Sequence, residues 1–70
     1  MIVIPKNARE SIVVRLREHN ARRYVDVRLH FHDESGELCP TKKGITIALD
    51  LAPELADAIR AVAAQEGTDG

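Results

Sequence analysis

Residues 24–47 read YVDVRLHFHDESGELCPTKKGITI, and this stretch decides the fold. Val25, Val27, Leu29 and Phe31 alternate with Asp26, Arg28 and His30. That is the period of a β-strand turning an aliphatic row to a core and a basic, hydrogen-bonding row to solvent. Asp33-Glu34-Ser35-Gly36 offers an Asx start and a Gly end suited to a type I turn, so the chain reverses there. Residues 37–39 then make a short return strand, and Pro40, lacking an N–H, is expected to interrupt its pairing. Lys42 and Lys43 follow on an expected exposed loop, and Gly44 has no side chain to keep a ligand backbone away. Ile45, Ile47 and Leu49 alternate in a further strand over 45–49.

Upstream, Ile12, Val14 and Leu16 alternate with Ser11, Val13, Arg15 and Arg17, which predicts a strand over 10–17 with two arginines on its polar face. Residues 18–22 suit a hairpin loop, with Asn20 tolerant of a positive φ, and the next strand runs over 23–32. The region 10–49 is therefore an antiparallel meander of four strands. Met1-Ile2-Val3-Ile4 is too short for a signal peptide or a membrane span before Pro5, so residues 1–9 form an edge strand or an arm. From Leu51 the period changes: Leu51, Leu55, Ala58, Ile59 and Val62 share one helical face, with Glu54, Asp57 and Arg60 away from it. The helix is expected over 51–66, with Asp50 as N-cap, Pro53 in the first turn and Gly67 as terminator before a tail of 67–70. The fold class is α+β, a four-stranded antiparallel meander followed by one amphipathic helix.

The 70 residues make one domain, and a chain of this size buries only about 60% of its unfolded surface. A second copy is the expected remedy, giving a homodimer joined through Leu51, Leu55, Ala58, Ile59 and Val62. The single cysteine, Cys39, cannot form an internal disulfide, which fits a reducing compartment, and reads as a small strand residue. The net charge of −1 conceals an asymmetry. Residues 1–28 carry seven bases against three acids, whereas residues 44–70 carry one base against five acids. Such a dipolar layout suits a protein that presents one face to a polyanion, although two ordinary solvated surfaces would look the same.

Catalysis finds no support: there is no nucleophile elbow, no phosphate-binding Gly-rich loop before a helix and no isolated carboxylate pair. No cofactor is implied. His30 and His32 share a strand face near Asp33 and Cys39, a weak metal pattern that a polar sheet face also produces by chance, and no metal site is assigned. Nucleic-acid binding fits the residues best. A groove for single strands needs cations that track phosphates, planar groups on which bases stack, and close backbone approach. Arg15, Arg17, Arg22 and Arg28 supply cations from the sheet and first hairpin, Lys42 and Lys43 supply them from the last loop, and Arg28 can also stack through its guanidinium plane. Tyr24, on the polar row, is a further candidate stacker or a half-buried strand-end tyrosine.

Val25-Asp26-Val27-Arg28, Phe31, Asp33, Gly36-Glu37 and Pro40-Thr41-Lys42-Lys43-Gly44-Ile45, in that order without a gap, resemble the C-terminal domain of the transcriptional coactivator positive cofactor 4, a single-stranded-DNA-binding family. The similarity extends from Val14-Arg15-Leu16-Arg17 to Pro53-Glu54. It implies DNA contacts at Arg17, at the hairpin from His19 to Arg22, and at Arg28, Phe31, Lys42, Lys43 and Gly44, with helices of two protomers packed together. It also sets Phe31 at the DNA, whereas alternation puts it with the core, and a bulge near the strand end would reconcile the two. His19, Asn20 and Cys39 replace an aromatic and two lysines of the family pattern, and Phe31 replaces a Trp, so weaker binding is implied. The resulting expectation is a homodimer that binds single-stranded or melted DNA with little sequence preference, in transcription or genome maintenance. RNA and the transcription machinery are further candidate partners, and no membrane is involved. The expected location is cytoplasmic, nucleoid-associated in a prokaryote. The alternatives are a dimeric ribbon-type binder of duplex DNA and a protein-interaction subunit that never touches nucleic acid.

Overall fold

The structure, a computed structural model, describes residues 1–65. Four antiparallel strands form one sheet in the order β1-β2-β3-β4, with β1 at Ile2–Pro5, β2 at Glu10–His19, β3 at Arg22–His32 and β4 at Leu38–Ala48. A 3-10 turn, Leu49–Leu51, leads into the helix α1, Ala52–Ala63. The α+β class and the single antiparallel sheet with a C-terminal helix are as expected from the sequence, but the strands are divided differently.

β1 pairs with β2 from Ile2 opposite Val14 to Pro5 opposite Ser11, so the N-terminus adds an edge strand. The two expected C-terminal strands are one continuous strand, β4, and Pro40 does not break it. Pro40 stands opposite His30 on an edge strand, where a missing N–H is tolerated because that side of the chain can face water. The first hairpin is also tighter than the sequence suggests. His19 and Arg22 pair directly, leaving Asn20 at φ 52° and Ala21 at φ 64° as a two-residue turn. Two positive φ angles define a type I′ turn, whose twist matches that of the strands. The second reversal follows the expectation: Gly36 N–H donates to the Asp33 carbonyl at 2.9 Å, and Ser35 N–H donates to Asp33 Oδ1 at 2.9 Å.

α1 begins one residue later than expected and lacks the Asp50 cap. Its N-cap is Leu51, in the right-handed region with no side-chain hydrogen bond, because the preceding 3-10 turn already leads the backbone into the helix. Pro53 lies in the first turn as expected. Ala63 ends the helix, while Gly67 lies outside the described residues.

Burial departs most from expectation. Strand parity puts Ser11, Val13, Asp26 and His30 on the polar row, and these are the buried residues, at 2%, 0%, 1% and 6% exposure. Val13 is the only fully buried apolar side chain among the described residues. The aliphatic row is covered far less, with Leu16 59% and Ile45 49% exposed. Asp26 lies against Arg28 and Arg15 on one face, whereas one 12-residue helix must serve the whole opposite face. No residue of α1 is buried. A hollow of about 470 Å³ lies between α1 and the sheet, walled by Ile4, Ile12, Val14, Val25, Val27 and Ile47 below and by Ala52, Leu55, Ala56 and Ile59 above. The radius of gyration, 14.3 Å, exceeds the roughly 11 Å of a compact chain of this length.

Candidate nucleic-acid interface

The polar row of the sheet builds the candidate site from three strands. Register sets Arg17 opposite Tyr24, Arg15 opposite Asp26 and Val13 opposite Arg28, with Thr46 and Gly44 beyond Asp26 and Arg28 on β4. Arg17, Glu18, His19, Tyr24, Asp26, Arg28 and Thr46 line a cleft of about 330 Å³. A second hollow, about 440 Å³, adjoins it through Tyr24 and carries Arg22 and Arg23. Of the expected interface residues, Arg17, His19 and Arg28 thus meet in one cleft, and Arg22 opens onto the next.

Arg28 is not the free strand cation that its sequence position suggests. Its Nε donates to both Asp26 oxygens at 3.2 Å and its Nη2 to Oδ1 at 2.9 Å. Nη1 donates to the Thr41 carbonyl at 3.0 Å, and the side chain is 20% exposed. Thr46 Oγ1 donates to Asp26 Oδ1 at 2.9 Å. The Arg28 hydrogen bonds hold the Asp26 carboxyl below its ordinary pKa, against the opposing effect of burial, with Thr46 assisting. The Arg28 pKa rises in return, chiefly through the same hydrogen bonds. Arg15 Nε lies 3.9 Å from Asp26 Oδ2 and makes no hydrogen bond. Sequence alone did not identify Asp26 as the centre of this network. The available signal was an acid flanked by Arg28 at i+2 and, once register is known, by Arg15 across the strand pair.

Lys42 and Lys43 sit within β4 on a bulge and not on a loop. Register passes from Arg28 opposite Gly44 to His30 opposite Pro40, so Thr41, Lys42 and Lys43 stand against Leu29 alone. Thr41 closes the irregularity: its hydroxyl donates to the Leu29 carbonyl at 2.7 Å and accepts from Lys43 N–H at 3.1 Å. Both lysines are exposed. Gly44 is required by the sheet itself, since a Cβ there would lie 2.5 Å from the Val27 carbonyl oxygen and 2.7 Å from Arg28 Cα. The glycine thus admits β3, whatever else approaches it. Arg17, Arg22, Lys42 and Lys43 have no ion-pair partner among the described residues.

Phe31 stands away from the cleft. It shares parity with the aliphatic row, pairs with Glu10 and Cys39, and is 43% exposed. The bulge expected near it lies instead in the facing strand. Of the two histidines, His30 is buried while His32 is exposed, and no group of three metal-capable side chains occurs among the described residues. Cys39 Sγ lies 3.7 Å from Asp33 Oδ2, and burial and then the Asp33 charge push its thiol pKa up.

Set against known proteins, residues 6–58 match the family described as Transcriptional Coactivator p15 (PC4). The chain belongs to the PC4 family. The match spans β2, β3, β4 and the start of α1, so the cleft and the lysine bulge fall inside it. The crystal structure of BPSL1147, a PC4 homolog from Burkholderia pseudomallei, is 34% identical over 96% of this chain and 89% of its own, with a TM-score of 0.87 in the orthorhombic form. Its tetragonal form gives 32% identity over 90% and 93%, with a TM-score of 0.83. A bacteriophage T5 homolog of PC4, implicated in recombination-dependent DNA replication, shares the fold at a TM-score of 0.71 and 21% identity, over 91% of this chain and 75% of its own. No curated protein sequence matches. The chain is a DNA-binding module of the PC4 type. No described helix is long and apolar enough to cross a membrane.

Proposed function

We propose that the protein is a homodimeric, non-enzymatic module that binds single-stranded or locally melted DNA with little sequence preference, in transcription regulation or genome maintenance in the cytoplasm. The observation that carries this reading is a cleft of about 330 Å³ on the polar sheet face of a PC4-family chain, with unpaired cations around it. Arg17 and His19 border the cleft, Arg22 continues past it, and Lys42 and Lys43 project from the bulge on the adjacent edge strand. Tyr24 and the Arg28 plane offer surfaces for bases. Gly44 and Arg15 complete the interface from the sheet, and Phe31, near the end of β3 on the opposite row, would meet a strand that wraps round the end of the sheet. Bases must be unpaired to enter such a hollow, which favours a single strand over a duplex and counts against the ribbon-type alternative.

The half-covered aliphatic row supports the dimer. Ile59 and Val62 are 60% and 66% exposed and Leu51 48%, and with Leu55 and Ala58 they form the surface against which a second copy would pack. A pure protein-interaction role would leave the unpaired cations and the cleft without a ligand.

Matched single-stranded and double-stranded oligonucleotides, titrated over a range of salt, test the reading. Tighter single-strand binding is expected, with log K falling at a slope of about −2.8 for four phosphates neutralised by Arg17, Arg22, Lys42 and Lys43. Lys42→Ala with Lys43→Ala should flatten that slope by about 1.4. Equal or tighter binding of the duplex would overturn the reading. Sedimentation tests the dimer: wild type is expected as a dimer at micromolar concentration, and Ile59→Glu as monomer or unfolded chain, because a carboxylate buried there loses its solvation. A stable wild-type monomer would remove that part.

A further inference from the structure

Asp26 is nearly inaccessible, at 1% exposure, so it is not placed to meet a ligand directly. Its hydrogen bonds instead go to Arg28 and Thr46. Together with the Thr41 carbonyl, it ties all three guanidinium nitrogens of Arg28. A guanidinium held at Nε, Nη1 and Nη2 cannot turn about its stem. Left over are its flat face, the outward N–H bonds of Nη1 and Nη2, and a charge balanced by a carboxylate 2.9 Å away.

A phosphate approaching Arg28 would meet the Asp26 charge as well, which weakens the attraction that a free arginine provides. A nucleobase loses little by that charge balance, since dispersion and the fixed plane carry much of a stacking contact. The cleft supports this ligand. Asp26 and Thr46 lie in its lining between Tyr24 and Arg28, and its volume of about 330 Å³ reaches the lower end, about 300 Å³, of hollows that take small molecules.

We propose that Asp26 is a positioning residue: it converts Arg28 from a mobile phosphate cation into a fixed platform for one unpaired base in the Tyr24–Arg28 cleft. The proposal rests on the single-strand reading above and adds a division of labour to it. Arg17, Arg22, Lys42 and Lys43 supply the salt-dependent part of binding, and Arg28 supplies a salt-independent part.

The test is a double-mutant cycle on the full chain, with a 15-nucleotide oligothymidylate titrated at several salt concentrations and folded protein verified by circular dichroism. Asp26→Asn keeps the side-chain volume and an oxygen for Thr46 but frees the Arg28 charge. It should weaken binding about tenfold at high salt, the size of a lost stacking contact, and steepen the salt slope by about 0.7, the increment of one further phosphate. In an Arg28→Ala background, Asp26→Asn should not weaken binding at high salt. Arg28→Lys, which keeps the charge and leaves Asp26 in place but has no flat face, should reproduce the weaker binding at high salt with an unchanged slope, and it tests the proposal if Asp26→Asn does not fold. The proposal is overturned by coincident salt plots for wild type, Asp26→Asn and Arg28→Lys. It is equally overturned if Asp26→Asn has the same effect with and without Arg28, the mark of a purely structural carboxylate. If wild type binds and the plots coincide, only the role of Asp26 falls. If wild type does not bind the oligonucleotide, the single-strand reading falls and this role falls with it. A slowly exchanging Arg28 Nε–H signal in wild-type nitrogen-15 spectra, lost in Asp26→Asn, is expected without any DNA, and its absence from wild type overturns the fixed plane directly.

Discussion

Gly44→Ala tests the strand arrangement on which the candidate interface depends. In β4, Gly44 stands opposite Arg28 at the start of the register shift. A Cβ at this position would sit 2.5 Å from the Val27 carbonyl oxygen, 2.7 Å from Arg28 Cα and 3.0 Å from Arg28 Cβ. Two of those three atoms are backbone, so no side-chain rotation relieves the contact. Ordinary separation requires β4 to withdraw from β3 by nearly an ångström, lengthening the ladder hydrogen bonds on both sides. Overpacking of this kind costs about 1–3 kcal/mol, and the backbone nature of the clash puts it near the upper end. For a domain of this size each kcal/mol moves the melting temperature by about 4–8 °C, so a fall of about 10–20 °C is expected at fixed protein concentration. Gly36→Ala is the control. Gly36 has φ +88° and nothing within 4 Å of its added Cβ, so only the left-handed backbone opposes the substitution, at about 1–2 kcal/mol. Denaturant unfolding of both variants ranks them. A Gly44→Ala protein within 0.5 kcal/mol of wild type, or more stable than Gly36→Ala, would refute the register of β4 against β3.

Ala21→Gly should raise stability by about 0.5–1 kcal/mol, because Ala21 holds φ 64° in the first hairpin and glycine escapes most of that strain while losing some backbone entropy; unchanged thermal unfolding would contradict the type I′ turn. The Asp26 carboxyl is depressed chiefly by hydrogen bonds from Arg28. Its contribution to stability is therefore full above its unfolded pKa of about 4 and is lost as pH falls through its lower folded value. Asp26→Asn should accordingly show a shallower decline in stability below about pH 4 than wild type, measured by urea unfolding across pH, and parallel declines would remove Asp26 from the acid response. Phe31→Ala should weaken single-strand binding by about tenfold and, since Phe31 is 43% exposed, cost about half the 3–5 kcal/mol of a fully buried Phe→Ala change. Unchanged binding by the fully folded variant would take Phe31 out of the interface.

The alternating pattern in residues 10–32 made β2 and β3 legible, since a period of two is a local property and both strands express it over several residues. The helix was legible for the same reason, through a change of period at Leu51. Three features were hidden because they depend on neighbours across the sheet. Pro40 and the lysines looked like a break and a loop, yet an edge position tolerates the proline, and the Thr41 hydroxyl bonds that hold the bulge cross to Leu29, twelve residues away. Gly44 looked like an opening for a ligand, yet the atoms that exclude a Cβ belong to β3. Arg28 looked like a mobile cation, yet the Thr41 carbonyl that accepts from its Nη1 and the Thr46 hydroxyl that donates to Asp26 come within reach only when β4 folds back.

The division between an aliphatic core face and a polar solvent face was the expectation most altered, and the reason bears on function. A single sheet with one helix has too little apolar surface to close its own aliphatic row, which stays half open above a hollow of about 470 Å³. The polar row is the better-buried face, holding Ser11, Val13, Asp26 and His30 at 6% exposure or less. Each chain is thus best buried beside the candidate cleft and least complete where a second copy is proposed to pack. A substitution such as Ile59→Glu acts on the incomplete face and should disturb assembly first. A substitution at Asp26 acts on the better-buried face and should alter how a base is held while the dimer persists. Measuring sedimentation and single-strand binding on the same two variants separates these faces, because the arrangement of the sheet predicts opposite orders of effect in the two assays.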